Sequence, residues 1–153
     1  MKLSILAVGP LKSGPEHELI ADYAKRFSHP VTLGLTEIPQ ASAGNTRQIK
    51  DAEGAKLQKA ITRGSHVVAL DVLGSVWDTH ELARQLSSWK SAGSPVCLLI
   101  GGPEGLSDAC LARADQTWSL SRLTFPHPLV RILVAEQLYR AESILRGHPY
   151  HRA

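Results

Sequence analysis

The stretch VCLLIGGPEGLS, residues 96–107, decides how the rest of the chain reads. Its first five residues are apolar without alternation. A strand of that kind has both faces covered and suits the centre of a parallel sheet. Gly101, Gly102 and Gly105 follow at once, and Pro103 stiffens the turn they make. Glycine permits tight turning and close backbone approach to a ligand. The pattern is neither GxxxxGK(S/T) nor GxGxxG, so it carries no phosphate-loop or dinucleotide fingerprint. On spacing alone it is either a ligand loop or a structural strand-to-helix turn. Ser107 can cap a short helix reaching Ala114.

Strand and helix signals alternate outward from this point. Upstream, Gly93-Ser94-Pro95 turns the chain, and Asp78 with Glu81 forms a capping-box start for a helix to about Ser91. Before it, residues 66–70 form a third strand. Nearer the N-terminus, residues 3–8 form a strand closed by Gly9-Pro10, and Pro15 suits the first turn of a helix. That helix places Leu19, Ile20, Tyr23, Ala24 and Phe27 on one face and stops before His29-Pro30. Residues 31–38 form the second strand, and residues 40–45 a loop of small residues. Thr46 can cap a helix that carries Ile49, Leu57, Ala60 and Ile61 inward and ends at Arg63-Gly64. Downstream, residues 116–119 form a short fifth strand. Residues 129–146 form a long helix with an unusually broad apolar surface, ended by Gly147 and followed by a polar tail, 148–153. This alternation predicts an α/β fold with a mostly parallel sheet flanked by helices, a single domain over 1–153. Ligands in such folds gather at the carboxyl ends of strands, which singles out the loops at 71–75, 101–105 and 120–125.

A chain of 153 residues suits one domain and buries a sizeable core. With 43% hydrophobic and 20% charged residues it has the composition of an ordered globular protein. The net charge of +3 is compatible with an RNA partner and does not by itself require one. Cys97 and Cys110 have no CxxC partner and read as small buried hydrophobes in a reducing compartment. No apolar run reaches membrane-spanning length, and residues 1–8 read as a strand and not a signal peptide, which points to the cytoplasm. His17, His29, His66 and His80 lack metal-ligand spacing and are assigned surface or capping roles, so no metal is expected. Trp77, Trp89 and Trp118 are core or interface anchors.

Two further clusters carry chemistry. In SLSRLTFPHP, residues 119–128, two prolines flank His127 and leave backbone groups free for a ligand. Taken alone, His127 reads as an exposed residue of a helix-entry turn. The tail GHPYHR, residues 147–152, joins an aromatic ring, two histidines and an arginine, a set suited to stacking on a base and pairing with phosphate. Taken alone it reads as a frayed terminus. Arg131, Arg140 and Arg146 would line a face of the long helix. Serine hydrolysis has no GxSxG elbow to support it.

At these clusters the chain closely resembles the ribosomal RNA large-subunit methyltransferase H family of the SPOUT, or trefoil-knot, superfamily. The resemblance rests on LLIGGPEGLS (98–107), WSL (118–120), LTFPHPLVRILVAE (123–136), LYRA (138–141) and HPYHR (148–152). Residues 1–3 and 7–9, Ile49-Lys50, Leu70-Asp71 and Trp77-Asp78-Thr79 add to it, and residues 40–45 are the least family-like part. The resemblance implies a C-terminal trefoil knot, an exception to the usual avoidance of knots. It implies methyl transfer from S-adenosylmethionine to N3 of a pseudouridine in large-subunit ribosomal RNA, by a homodimer acting on assembled ribosomes. The family's cofactor positions fall on Leu70, Gly101, Leu120, Ser121, Arg122, Leu123, Thr124 and Phe125. Substrate binding and electrostatic help would come from Arg131, His127, Tyr150, His151 and Arg152, with their division of roles open. The apolar long helix would pack across the dimer, so that one subunit's tail completes its partner's site. The rivals are a flavodoxin-like nucleotide enzyme and a knotted RNA-binding module without catalysis.

Overall fold

The sheet has five strands in the order β2-β1-β4-β3-β5. The strands are β1 (Lys2–Val8), β2 (Thr32–Ile38), β3 (His66–Val76), β4 (Val96–Ile100) and β5 (Gln116–Ser119). Five helices connect and follow them: α1 (Pro15–Arg26), α2 (Thr46–Ala60), α3 (Thr79–Ala92), α4 (Asp108–Arg113) and α5 (His127–Leu145). This is a computed structural model, and it describes residues 1–10 and 14–152. Ala153, the end of the expected tail, lies outside the described residues. Every strand pair is parallel, so the sheet is wholly parallel where the sequence suggested mostly parallel.

β4 occupies the middle of the sheet with all five residues buried, as its unbroken apolar run requires. Alternate residues feed two cores. Leu98 and Ile100 join Leu3, Ile5 and Val68 beneath α1, α3 and α5. Cys97 and Leu99 join Leu6, Val8 and Val67 against α2 and α4. Each fully enclosed leucine here contributes roughly 2 kcal/mol of burial.

Local chemistry sets the helix ends. The Asp78–Glu81 capping box starts α3, and Gly93, at φ 79°, ends it in the left-handed conformation. α2 is capped by Asn45 and not by Thr46: the Asn45 side chain accepts from the Gln48 amide while Gln48 reaches back. α2 ends at Ala60, short of the expected Arg63-Gly64, and buries Glu53 as well as Leu57. Cys97 and Cys110 are both free and buried.

Three elements differ from the sequence reading in ways that matter for the site. β3 continues past Leu70 to Val76, and its pairing with β5 shifts register between Leu70 and Ser75. The expected loop at 71–75 is therefore a bulge inside a strand. α5 begins at His127, with Pro126 as its N-cap, because proline is well suited to a helix's first turn. His66 is neither a surface nor a capping residue. Its Nε2 lies 2.7 Å from Gln116 Oε1, which also accepts from Trp89 Nε1 at 2.8 Å. Trp89 and Trp118 are buried, and Trp77 stacks on Trp118 with ring centroids 5.6 Å apart. Among the described residues no helix is long and apolar enough to cross a membrane.

Candidate functional site

The helix after β3 packs on one face of the sheet and the helix after β4 on the other. Adjacent strands whose connections part in this way leave a crevice at their carboxyl ends. A cleft of about 590 Å³ occupies it. Leu70, Asp71 and Val72 line it from β3, residues of the 101–106 turn from β4, and Thr124, Phe125 and His127 from the far side. A narrower hollow of about 200 Å³ continues it along Trp118, Ser119, Leu120, Ser121 and Leu123, and shares Leu70, Asp71, Thr124 and Phe125 with the cleft.

The glycines shape the β4 wall. Gly105 has φ +85°, and its amide donates to the Gly102 carbonyl at 2.9 Å, closing a tight turn. A Cβ on Gly102 would meet Val8 Cγ1 at 3.1 Å and Glu53 Oε1 at 3.3 Å. Gly101 keeps its small size for its own loop, since a Cβ there would meet the Gly105 backbone. In β3, beyond the residues that line the opposite wall, Gly74 has a similar constraint: a Cβ would stand 2.7 Å from the Thr117 carbonyl carbon, so only glycine lets the β3 bulge lie against β5.

The 120–125 loop is held by side chains. Ser119 Oγ donates to the Ser121 carbonyl at 2.9 Å, and the Leu123 amide donates to Ser121 Oγ at 3.0 Å. Among the described residues, 121–125 make no backbone–backbone hydrogen bond. Peptide groups that will be enclosed need partners. This loop therefore presents donors and acceptors that a ligand in the cleft can satisfy. Of the cofactor positions inferred from the sequence, Leu70, Gly101, Leu120, Ser121, Leu123, Thr124 and Phe125 line these two hollows. Arg122 is exposed and is not among the lining residues.

The five expected substrate-side residues do not stand together. His127 lines the cleft. Arg131, four residues further along α5, is 0% exposed, which removes it from the expected surface face of the helix. Its Nη2 donates to the carbonyls of Val8, at 2.6 Å, and Gly9, at 2.5 Å, and Nη1 lies 3.9 Å from Glu37 Oε1. Its Nε and Nη1 are enclosed without a hydrogen-bond partner. Burial pulls the Arg131 guanidinium below its ordinary pKa, and Glu37 partly opposes this. Burial, and then the Arg131 charge, hold His127 below the ordinary imidazole value. Arg140 pairs with Glu136 and Arg146 with Glu142, so no open basic face forms there.

The tail is docked where fraying was the simpler expectation. The Tyr150 ring packs edge-on against Tyr139 with centroids 4.7 Å apart, and its hydroxyl donates to Glu136 at 3.1 Å. Arg140 lies 4.9 Å over the Tyr150 ring. Burial, then Tyr23 and Glu136, push the Tyr150 phenol well above its usual range. His151 packs edge-on against His80 of α3 at 5.2 Å, and both its ring nitrogens are enclosed without a partner. Arg152 is exposed. The tail thus lies along α5 and α3, and none of its residues lines the cleft. Sequence reasoning missed Asp71 and Gly74, which read as turn residues, and the pairing of buried Arg131 with half-buried Glu37, which no spacing signals.

The parallel sheet and the crevice at the carboxyl ends of β3 and β4 define an α/β ligand-binding protein. A family model described as "Predicted SPOUT methyltransferase" matches residues 1–151, and the chain belongs to that family. Ribosomal RNA large subunit methyltransferase H of Hahella chejuensis (strain KCTC 2396) is 48% identical over 155 residues, covering 99% of this chain and 99% of that protein. Its counterpart in Thioalkalivibrio sulfidiphilus (strain HL-EbGR7) is 49% identical over 155 residues with the same coverage. Among solved structures, a "probable methylase family protein" from Haemophilus influenzae Rd KW20 matches with a TM-score of 0.54 and 12% identity, over 99% of this chain and 70% of that one. That likeness is one of fold.

Proposed function

We propose that this chain transfers a methyl group from S-adenosylmethionine to N3 of a pseudouridine in large-subunit ribosomal RNA, as a cytoplasmic, knotted homodimer acting on assembled ribosomes. The observation that carries the reading is the 121–125 loop, whose peptide groups lack backbone partners where they border the cleft between β3 and β4. The full-length identity to relatives named for large-subunit ribosomal RNA supports the choice of substrate.

The residues present fit the donor. The larger hollow is in the size range of small-molecule sites, about 300–1,000 Å³, and both combine apolar walls with a few polar groups. Leu70, Leu120, Leu123 and Phe125 would sandwich a nucleoside, and the loop backbone would read its edge. When bound, S-adenosylmethionine supplies a methyl group on a sulfonium, ready for in-line displacement. The protein's task is then positioning and stabilising charge. The substrate imide must lose its N3 proton, and His127 and Asp71 are the titratable groups on the cleft wall. Tyr150, His151 and Arg152 would serve substrate binding from outside the cleft of their own chain.

A homodimer is supported by exposed apolar residues on the elements around the cleft. Leu73 is 86% exposed and Leu123 70%, and Val72, Val76, Leu129 and Leu133 are also exposed. A patch of this kind marks an interaction surface. Incubating ribosomes that lack the modification with labelled donor tests the reading. Label on one large-subunit pseudouridine is expected, and donor binding without label would contradict the reading.

A further inference from the structure

Resting on that reading, we propose that His127 is the group that takes the N3 proton, and that Arg131 is its positioning residue. The assignment follows from a stack of three residues running from the core to the cleft. Arg131 lies at the bottom, wholly enclosed, with Nη2 bonded to the carbonyls that end β1. Gly9 comes next: a Cβ there would be 3.6 Å from Arg131 Nη2 and 3.8 Å from His127 Nε2. His127 is at the top, on the cleft wall with the 101–106 turn. Pro126 and Pro128 fix the backbone on either side of it, so its ring is set by a rigid helix start.

The geometry divides the roles. A guanidinium that is 0% exposed cannot touch an RNA base, so Arg131 acts through its neighbours. Tyr150 is held by Glu136 and Tyr139 and His151 lies against His80, outside the cleft of their own chain, whose wall carries His127 as its one imidazole. Asp71 shares the cleft, but a carboxylate is in general a poorer match than an imidazole for an imide proton near neutral pH. The charged groups that face His127 are Arg131 on its own helix, Glu37 of β2 behind Arg131, and Asp71 of β3 across the cleft. Burial and Arg131 both favour the neutral ring, the form that can accept a proton.

The N3–H bond breaks toward one ring nitrogen of His127, where a new N–H bond forms. The N3 electron pair then makes the bond to the methyl carbon, and the pair of the broken carbon–sulfur bond stays on sulfur. The imidazolium, unfavourable beside Arg131, releases its proton to water at the open cleft.

The test compares His127→Asn with the wild-type protein in donor affinity by calorimetry and in single-turnover methyl transfer to unmodified ribosomes, between about pH 5.5 and pH 9. Expected are an affinity within about twofold and a rate near neutral pH lowered about a hundredfold or more. The wild-type rate should fall with acid along a one-proton limb, which the variant should lack. For Arg131, NMR titration of His127 in Arg131→Met should show a raised midpoint, with the acid limb of the rate moving by the same amount. Should that variant fail to fold, Arg131→Lys keeps the charge and should lower the rate without moving the midpoint. A variant His127→Asn that keeps the wild-type rate and acid limb overturns the proposal, and so does one that loses donor affinity, since His127 would then be a binding residue. A wild-type protein that labels no base removes the reaction itself, and this assignment with it.

Discussion

A Cβ atom on Gly101 would stand 2.6 Å from the carbonyl carbon of Gly105 and 2.9 Å from the Leu106 amide nitrogen. Real side chains do not approach backbone so closely, so any residue larger than glycine at 101 must push the 105–106 segment away. That segment is a wall of the cleft. Gly101→Val is therefore expected to abolish S-adenosylmethionine binding while the dimer persists. Calorimetry and sedimentation check the two halves, and an unchanged affinity would remove Gly101 from the site.

The docking of Tyr150 gives the tail a defined seat. Deleting residues 150–153 is expected to cut methyl transfer much more than donor binding, because the tail lies outside its own chain's cleft. Tyr150→Phe keeps the packing on Tyr139 and loses the bond to Glu136. It should cost about 1 kcal/mol of stability. Full activity after the deletion would show that the tail's docking serves stability alone.

Arg131 holds the end of β1 to the first turns of α5. Arg131→Met leaves the Val8 and Gly9 carbonyls without their shared donor and Glu37 without its cation. Removing one partner of a buried charged network costs roughly 3 kcal/mol. Urea unfolding should show that loss with an unchanged m-value, and a loss within about 0.5 kcal/mol would contradict the brace.

His127 also gives stability a pH dependence. Its folded pKa lies below the ordinary value of 6.5, because burial and Arg131 disfavour the charged ring. Between the folded and unfolded values the unfolded chain holds more protons, so stability rises with pH across that window. Unfolding free energy should therefore decline as pH falls below about 6.5, and His127→Asn should flatten that decline. Identical curves for the two proteins would contradict the assignment of the shift.

The sequence carried the strand and helix order well, because β4 is apolar on both faces and the capping box at Asp78 is explicit. It carried the cleft as well, since ligands gather where glycine and proline punctuate strand ends. What stayed hidden was the far end of β3. Asp71, Gly74 and Ser75 read as a turn, yet Gly74 is the residue that lets the strand resume against β5. The start of α5 was hidden by its own prolines, which read as a rigid turn and serve as the helix's N-cap, Pro126, and a first-turn residue, Pro128. Arg131 was misread because a lone arginine on a helix ordinarily faces water. The clue lay in its neighbours: all the other residues of α5 from 129 to 135 are apolar, so Arg131 stands in the helix's apolar half. Tyr150 was legible as an aromatic residue in a tail, but its seat depends on Tyr139 and Glu136 meeting it in space.

Methyl transfer from labelled S-adenosylmethionine to ribosomes lacking the modification, followed by mapping of the labelled base, decides whether this chain is a pseudouridine N3-methyltransferase. One labelled pseudouridine in the large-subunit RNA, methylated at N3, is expected. Label on another base or on small-subunit RNA, or no label despite donor binding, would contradict it.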